Sequence, residues 1–287
     1  PAPPRRGGAT NDDDPRARVI IEGLVKYFGS QRDVAAVDGL SLTITQGEIF
    51  ALLGHNGAGK TTTISILIGM LAATDYRRCT VAGHDVRTDM DGVRRAIGCC
   101  PQFDILFEDL SGLQHMQLYA AVKGVRATRA EELLTRLTLP LTNAPASTYS
   151  GGMKRRLSVG TALVGGCEVV FLDEPSSGLD PVSRRKLWQL LKDERASGRT
   201  IVLTTHFMEE ADYLGDRIAI MAHGRVVCQG TTAQLKQQHG VGYYLTLTRQ
   251  QQQGDDSKDA VRPLDVAGVL ELCNEFCDGE ARLHHET

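Results

Sequence analysis

An α/β fold with a mainly parallel sheet is what this 287-residue sequence predicts, and three segments predict it. The first reads as a buried strand, the second as a strand buried on both faces and the third as a strand-like run, and each ends in residues that carry chemistry. Residues 48–53 run into a glycine-rich turn, residues 169–172 into Asp173 and Glu174, and residues 200–205 into His206. In an open parallel sheet the C-terminal ends of the strands face the ligand crevice, so all three endings are expected on one side.

Taken along the chain, residues 1–18 are rich in Pro, Gly, Asp and Arg and read as linker; a first residue other than Met suggests a domain cut from a longer polypeptide. Residues 19–21 and 40–44 read as strands. Gly54-His55-Asn56-Gly57-Ala58-Gly59-Lys60-Thr61 then separates the strand at 48–53 from a helix expected over 61–71. Strand, glycine loop and helix in that order make a phosphate-binding loop. Glycines at 54, 57 and 59 let successive N–H groups converge on phosphate oxygens, and the positive end of the helix adds to them. Lys60 supplies a full charge to the β and γ phosphates, and the Thr61 hydroxyl is a ligand for the Mg²⁺ that bridges them. Asn56 and Thr62 complete the expected nucleotide-binding set.

Helical patterning follows at residues 113–123 and 130–137. Tyr149-Ser150-Gly151-Gly152-Met153 then precedes a helix with Met153, Leu157, Gly160 and Val164 on one face, which Gly165-Gly166 would end. Ser-Gly-Gly at a helix start offers a hydroxyl, free N–H groups and the dipole to an anion. Asp173 and Glu174, where their strand stops, can take separate roles: Asp173 holding Mg²⁺ and Glu174 polarising the attacking water. Asp180-Pro181 reads as an N-cap followed by proline at the first helical position.

With these motifs on the page, the chain resembles the nucleotide-binding domains of ATP-binding-cassette (ABC) proteins over residues 19–248. Ser150, Gly151 and Gly152 match the family signature, while Tyr149 and Met153 depart from its first and last positions. The resemblance implies a P-loop NTPase (RecA-like) core at 19–102 and 166–248, an N-terminal antiparallel β subdomain, and an inserted helical subdomain at 103–165 that carries the signature and docks a transmembrane partner. It implies ATP and Mg²⁺ as ligands, and a second nucleotide-binding domain clasped head to tail so that Ser150, Gly151 and Gly152 close on the partner's ATP. Gln102 matches the glutamine that senses Mg²⁺, with an exposed loop residue as the plain alternative. Asp180 matches the residue at the dimer seam, and its N-cap role is compatible with that. His206 matches the switch histidine beside Glu174 and the γ-phosphate. Tyr27 matches the aromatic stacked on adenine, with Phe28 as the other available ring.

Within the family, Gly54-His55-Asn56-Gly57, Cys100-Pro101-Gln102, Gly151-Gly152-Met153 and His206-Phe207-Met208-Glu209-Glu210-Ala211-Asp212 resemble the A subfamily, many of whose members move lipids; so does the segment from Gly242 to Leu247. A place on the cytoplasmic face of a membrane, as part of an integral transporter, is implied. The other readings are a non-transport ABC ATPase and an ATP-gated regulatory module. Residues 74–79 replace a Pro/Gly turn expected there, and Lys154-Arg155-Arg156 reads as a solvated helix face, with phosphate attraction near the dimer seam as the alternative.

A net charge of −3 offers no general attraction to nucleic acid, and no apolar run approaches the length of a membrane helix. Seven cysteines, an odd number that includes the adjacent Cys99 and Cys100, read as reduced buried thiols rather than a disulfide framework. Cys273 and Cys277 with His284 and His285 read as helix spacing and a chain end, not a metal site. Residues 249–287 read as a Gln-rich linker and tail.

Overall fold

The computed structural model describes residues 14–29 and 34–239. The Gly242–Leu247 segment, the Gln-rich linker, the tail and its Cys/His residues therefore lie outside the described residues.

β1 (Ala17–Tyr27) and β2 (Ala35–Thr45) pair antiparallel and bury Val19, Ile21, Leu24, Val37, Leu40, Leu42 and Ile44. Both strands are far longer than the three to five apolar residues that announce them. Polar residues occupy the outer face, and register shifts at Gly23 and Gly39, both at positive φ, break the alternation. With β4 (Arg78–Val81) and β5 (His84–Asp85) they form a four-stranded sheet in the order β2-β1-β4-β5. The segment 74–79 is moulded onto this sheet without a Pro/Gly turn. Val25 N–H donates to Asp75 O at 2.8 Å, Tyr76 Oη donates to Asp85 at 3.0 Å, and the Arg87 guanidinium lies 4.4 Å from the Tyr76 ring centre.

The second sheet has the order β10-β9-β3-β8-β7-β6. β3 (Ile49–Leu53), α1 (Lys60–Leu67), β6 (Ile97–Cys100), β7 (Val169–Asp173), β8 (Thr200–Thr205) and β9 (Arg217–Ala222) contribute the parallel core and the helix after the glycine loop. β10 (Arg225–Gly230) closes one edge antiparallel to β9. All residues of β3, β7 and β8 are buried, as a sheet covered on both faces requires. Side-chain alternation sends Ile49, Ala51 and Leu53 into a helix-covered core and Phe50 and Leu52 into a core shared with the antiparallel sheet.

The helix-covered core is built by α3 (Gly112–Val122), α4 (Ala130–Arg136), α5 (Gly151–Val164) and α6 (Pro181–Ala196), with α7 (Met208–Leu214) alongside. α2 (Met90–Ala96) leads into β6, and α8 (Thr232–His239) follows β10. α5 lies so close on β6 that a Cβ at Gly98 would come within 2.0 Å of Ala162 O.

Two expectations need correction. Lys154-Arg155-Arg156 is not a solvated face: Arg155 is buried, Arg156 donates to Leu137 O at 2.7 Å, and Lys154 is half-buried. The cysteines are not uniformly buried either. Cys79, Cys100 and Cys167 are, whereas Cys99 is exposed, because adjacent residues of the edge strand β6 point to opposite faces. Burial pushes the thiols of Cys79 and Cys100 up to about 12 and about 11.

Glu194 on α6 is 1% exposed and meets Arg129 at 2.7 Å, Arg199 at 3.3 Å and Arg136 at 3.6 Å. Replacing it by Ala leaves three guanidinium groups facing an uncharged hole. Glu194→Ala is expected to cost about 3–5 kcal/mol, read as a lowered urea midpoint at unchanged m; a midpoint equal to that of the parent would show the cluster to be neutral.

Candidate functional site

Main-chain geometry builds the glycine loop. Gly54 N–H donates to Thr205 O across the sheet, Gly59 caps α1 at φ +101°, and a Cβ there would sit 2.5 Å from Ala36 O. No other residue type meets both conditions. Asn56, Gly57 and Thr61 are exposed and Thr62 is half-buried at the start of α1, which leaves this rim open to solvent. Lys60 is only 5% exposed, and its ammonium donates to Gly54 O at 2.8 Å and His55 O at 3.1 Å, curled into the loop it follows. Burial holds its pKa below the ordinary lysine value, and the carboxylates of Glu174 and Asp173 pull the other way.

β7 delivers the two acids beside it. Asp173, 2% exposed, accepts a hydrogen bond from Thr61 Oγ1 at 3.2 Å and another from Thr204 Oγ1. Glu174 lies past the strand end at φ +50°, a left-handed conformation uncommon outside glycine. Its N–H donates to Thr204 Oγ1 at 2.9 Å, and its Oε1 is 3.3 Å from His206 Nδ1. Lys60, Thr61, Asp173, Glu174 and His206 thus meet at the C-terminal ends of β3, β7 and β8. The hydroxyl of Thr61 and the carboxylate of Asp173 are hard oxygen donors, a set that fits Mg²⁺.

Other candidates stand apart from this cluster. Gln102 is exposed and joined to the site through its carbonyl; its side-chain amide forms no hydrogen bond among the described residues. Ser150 is exposed and caps α5, accepting from Met153 N–H at 3.3 Å, with Gly151 exposed and Gly152 half-buried beside it. Asp180 is exposed and caps α6, accepting from Val182 and Ser183 N–H groups at 3.0 Å. Hydrogen bonding to Ser183 and to nearby N–H groups holds its carboxyl below the usual range. Tyr27 is half-buried at the end of β1, its N–H on Thr74 Oγ1, while Phe28 presents a ring 55% exposed with Lys26 Nζ 5.1 Å from its centre. Both aromatics remain available to a base.

Two participants escaped the sequence reading. Thr204 links the acids to β8, and nothing in the sequence sets it apart from Thr200 and Thr205 of the same strand. Arg155 reaches both acid-bearing residues through their carbonyls. Its signal was periodicity: it shares the buried face of α5 with Val159 and Ala162, at i+4 and i+7.

A parallel sheet with a glycine loop, a buried lysine, a hydroxyl and two carboxylates at its strand ends defines a P-loop nucleotide-binding domain. The family model described as ABC transporter matches residues 37–177. The chain belongs to the ABC transporter family, whose ATPase domains bind ATP. It is 45% identical over 244 residues to the phospholipid-transporting ATPase ABCA3 of Homo sapiens, covering 83% of this chain and 14% of that protein. It is 49% identical over 237 residues to the retinal-specific phospholipid-transporting ATPase ABCA4 of Homo sapiens, covering 80% of this chain and 10% of that one. The chain therefore spans about a seventh or less of these relatives. Among solved structures, an ATP-binding cassette captured as a dimer in a post-hydrolysis state with ADP and Pi superposes with a TM-score of 0.68 at 25% identity, covering 74% of this chain and 98% of that one. These identities bear out the resemblance to the A subfamily read from the motifs.

Proposed function

We propose that this chain is the ATP-hydrolysing domain of a membrane transporter whose cargo is a phospholipid, working from the cytoplasmic face by closing head to tail on a second nucleotide-binding domain. The observation that carries the reading is the meeting of Lys60, Thr61, Asp173, Glu174 and His206 at three adjacent strand ends. Lys60 and the N–H groups of the loop hold the triphosphate, and Tyr27 or Phe28 stacks on adenine. Thr61 and Asp173, with Gln102, would hold Mg²⁺, which would supply positive charge against the phosphates. Glu174 accepts the proton of the attacking water, and His206 orients Glu174 and the γ-phosphate.

Partnership is supported by exposure. Ser150 and Gly151 lie open at the start of α5, where N–H groups and dipole would meet the partner's triphosphate, and Asp180 lies open at the start of α6, where it would face the dimer seam. Phe103, Ile105 and Phe107, 80%, 61% and 55% exposed just after Gln102, suit a transmembrane partner. Among the described residues no helix is long and apolar enough to cross a membrane, so the passage is assigned to other segments. The phospholipid cargo rests on the names of the relatives and on the shared motifs.

Glu174→Gln chain at micromolar concentration should sediment as a monomer without nucleotide and as a dimer with Mg-ATP. Ser150→Arg, which fills the signature, should stay monomeric in both. A monomer in every condition would count against the head-to-tail clasp.

A further inference from the structure

The Arg155 guanidinium is 4% exposed and its two terminal nitrogens serve different segments. Nη1 donates to Pro101 O at 2.7 Å, Gln102 O at 3.2 Å and Asp104 Oδ1 at 2.9 Å. Nη2 donates to Asp173 O and, at 3.0 Å, to Glu174 O. The side chain itself rises from α5, five residues after Ser150. One rigid plate therefore ties the start of the signature helix, the loop bearing Gln102 and the exposed Phe103, and the peptide of the acid at the strand end.

Burying a cation among carbonyls with one carboxylate for company is a costly way to stabilise a fold. The arrangement does, however, position Glu174. That residue holds φ +50°, its N–H is pinned by Thr204, and its C=O is pinned by Arg155. With both sides of the residue held, its carboxylate is aimed at His206. The fork is what makes a double tie possible; a lysine ammonium, a single point on a flexible stem, would serve one segment or the other.

We propose that Arg155 is a positioning residue that couples the Pro101–Asp104 loop to Glu174, so that the conformation of the loop sets whether the carboxylate is aimed at the attacking water. The proposal rests on the hydrolytic reading above. In that reading the loop adjoins the surface for the transmembrane partner, and Arg155 is the link by which docking there reaches the chemistry.

The test uses the full chain with Arg155→Lys, Glu174→Gln and the double variant, assayed for kcat and KM with Mg-ATP. Arg155→Lys is expected to lower kcat roughly 10–100-fold while KM for ATP moves less than about threefold. On the Glu174→Gln background the same change should lower the residual rate less than about twofold, because the group it positions is already disabled. An equal loss on both backgrounds, or parental kcat in Arg155→Lys, overturns the proposal. Asp104→Asn, which keeps the carbonyl contacts and removes the charge anchor, should lower kcat a few-fold; parental kcat there removes the loop from the link.

Hydrogen exchange without nucleotide separates this inference from the hydrolytic reading. Arg155→Lys should raise exchange at residues 102–104 and 174–177 together, whether or not the parent hydrolyses ATP. Exchange unchanged at both segments, or raised at only one, overturns the tie. A parent without ATPase activity sinks the hydrolytic reading alone.

Discussion

Glu174→Gln is expected to reduce steady-state ATP turnover by about 10²–10⁴-fold while leaving ATP affinity within about threefold of the parent. The amide is nearly isosteric with the carboxylate, so the left-handed backbone at Glu174, the Thr204 contacts and the approach to His206 can all persist. What disappears is the proton acceptor. Lys60 and the loop N–H groups, which hold the phosphates, are untouched, so the loss belongs in kcat. Single-turnover hydrolysis and equilibrium nucleotide binding measured on one preparation check both halves. Parental turnover would remove Glu174 from the role of base, and weakened binding would make it a ligand instead.

Lys60→Ala should act on the other half of the cycle. Its ammonium is the buried cation of the glycine loop, held by Gly54 O and His55 O until phosphate oxygens compete for it. Charge-assisted contacts of this kind contribute about 1.5–3 kcal/mol, so nucleotide affinity should fall roughly 10–150-fold. The fold itself has little to lose, since burial already disfavours the charged form. Linkage gives a sign that can be measured alongside. Between the lowered value and the ordinary 10.5 the unfolded chain binds more protons at this side chain, so stability of the parent gains with rising pH there, and Lys60→Ala lacks that gain. Unchanged nucleotide affinity in Lys60→Ala would contradict the charge argument.

Much of this was legible before any coordinates. β8 spans residues 200–205 as read, α4 ends within a residue of its expected stop, and α5 spans Gly151–Val164 between the Ser150 cap and Gly165. Those elements carry strong local signals: a central Ile-Val-Leu run, a serine cap, paired glycines. The antiparallel sheet was under-read because its strands are two-sided, with bulges at Gly23 and Gly39 that scramble the period of two. α2, α7, α8 and the β9–β10 hairpin carried patterns too short or too polar to announce themselves.

By itself the sequence determined the class of chemistry, because a glycine loop, its lysine and its hydroxyl occupy consecutive positions whose mutual geometry the backbone enforces. Likewise, a strand that ends in two acids needs no distant partner to end there. Only the tertiary structure decided which acid meets which hydroxyl and that Thr204 and Arg155 belong to the site. Those contacts join residues 18 to 112 positions apart, and nothing in a local pattern reports on them. Arg155 shows why: its charge and helical setting spelled solvent, yet the carbonyl ends of two separate loops converge on the one buried point where a forked cation can satisfy them all.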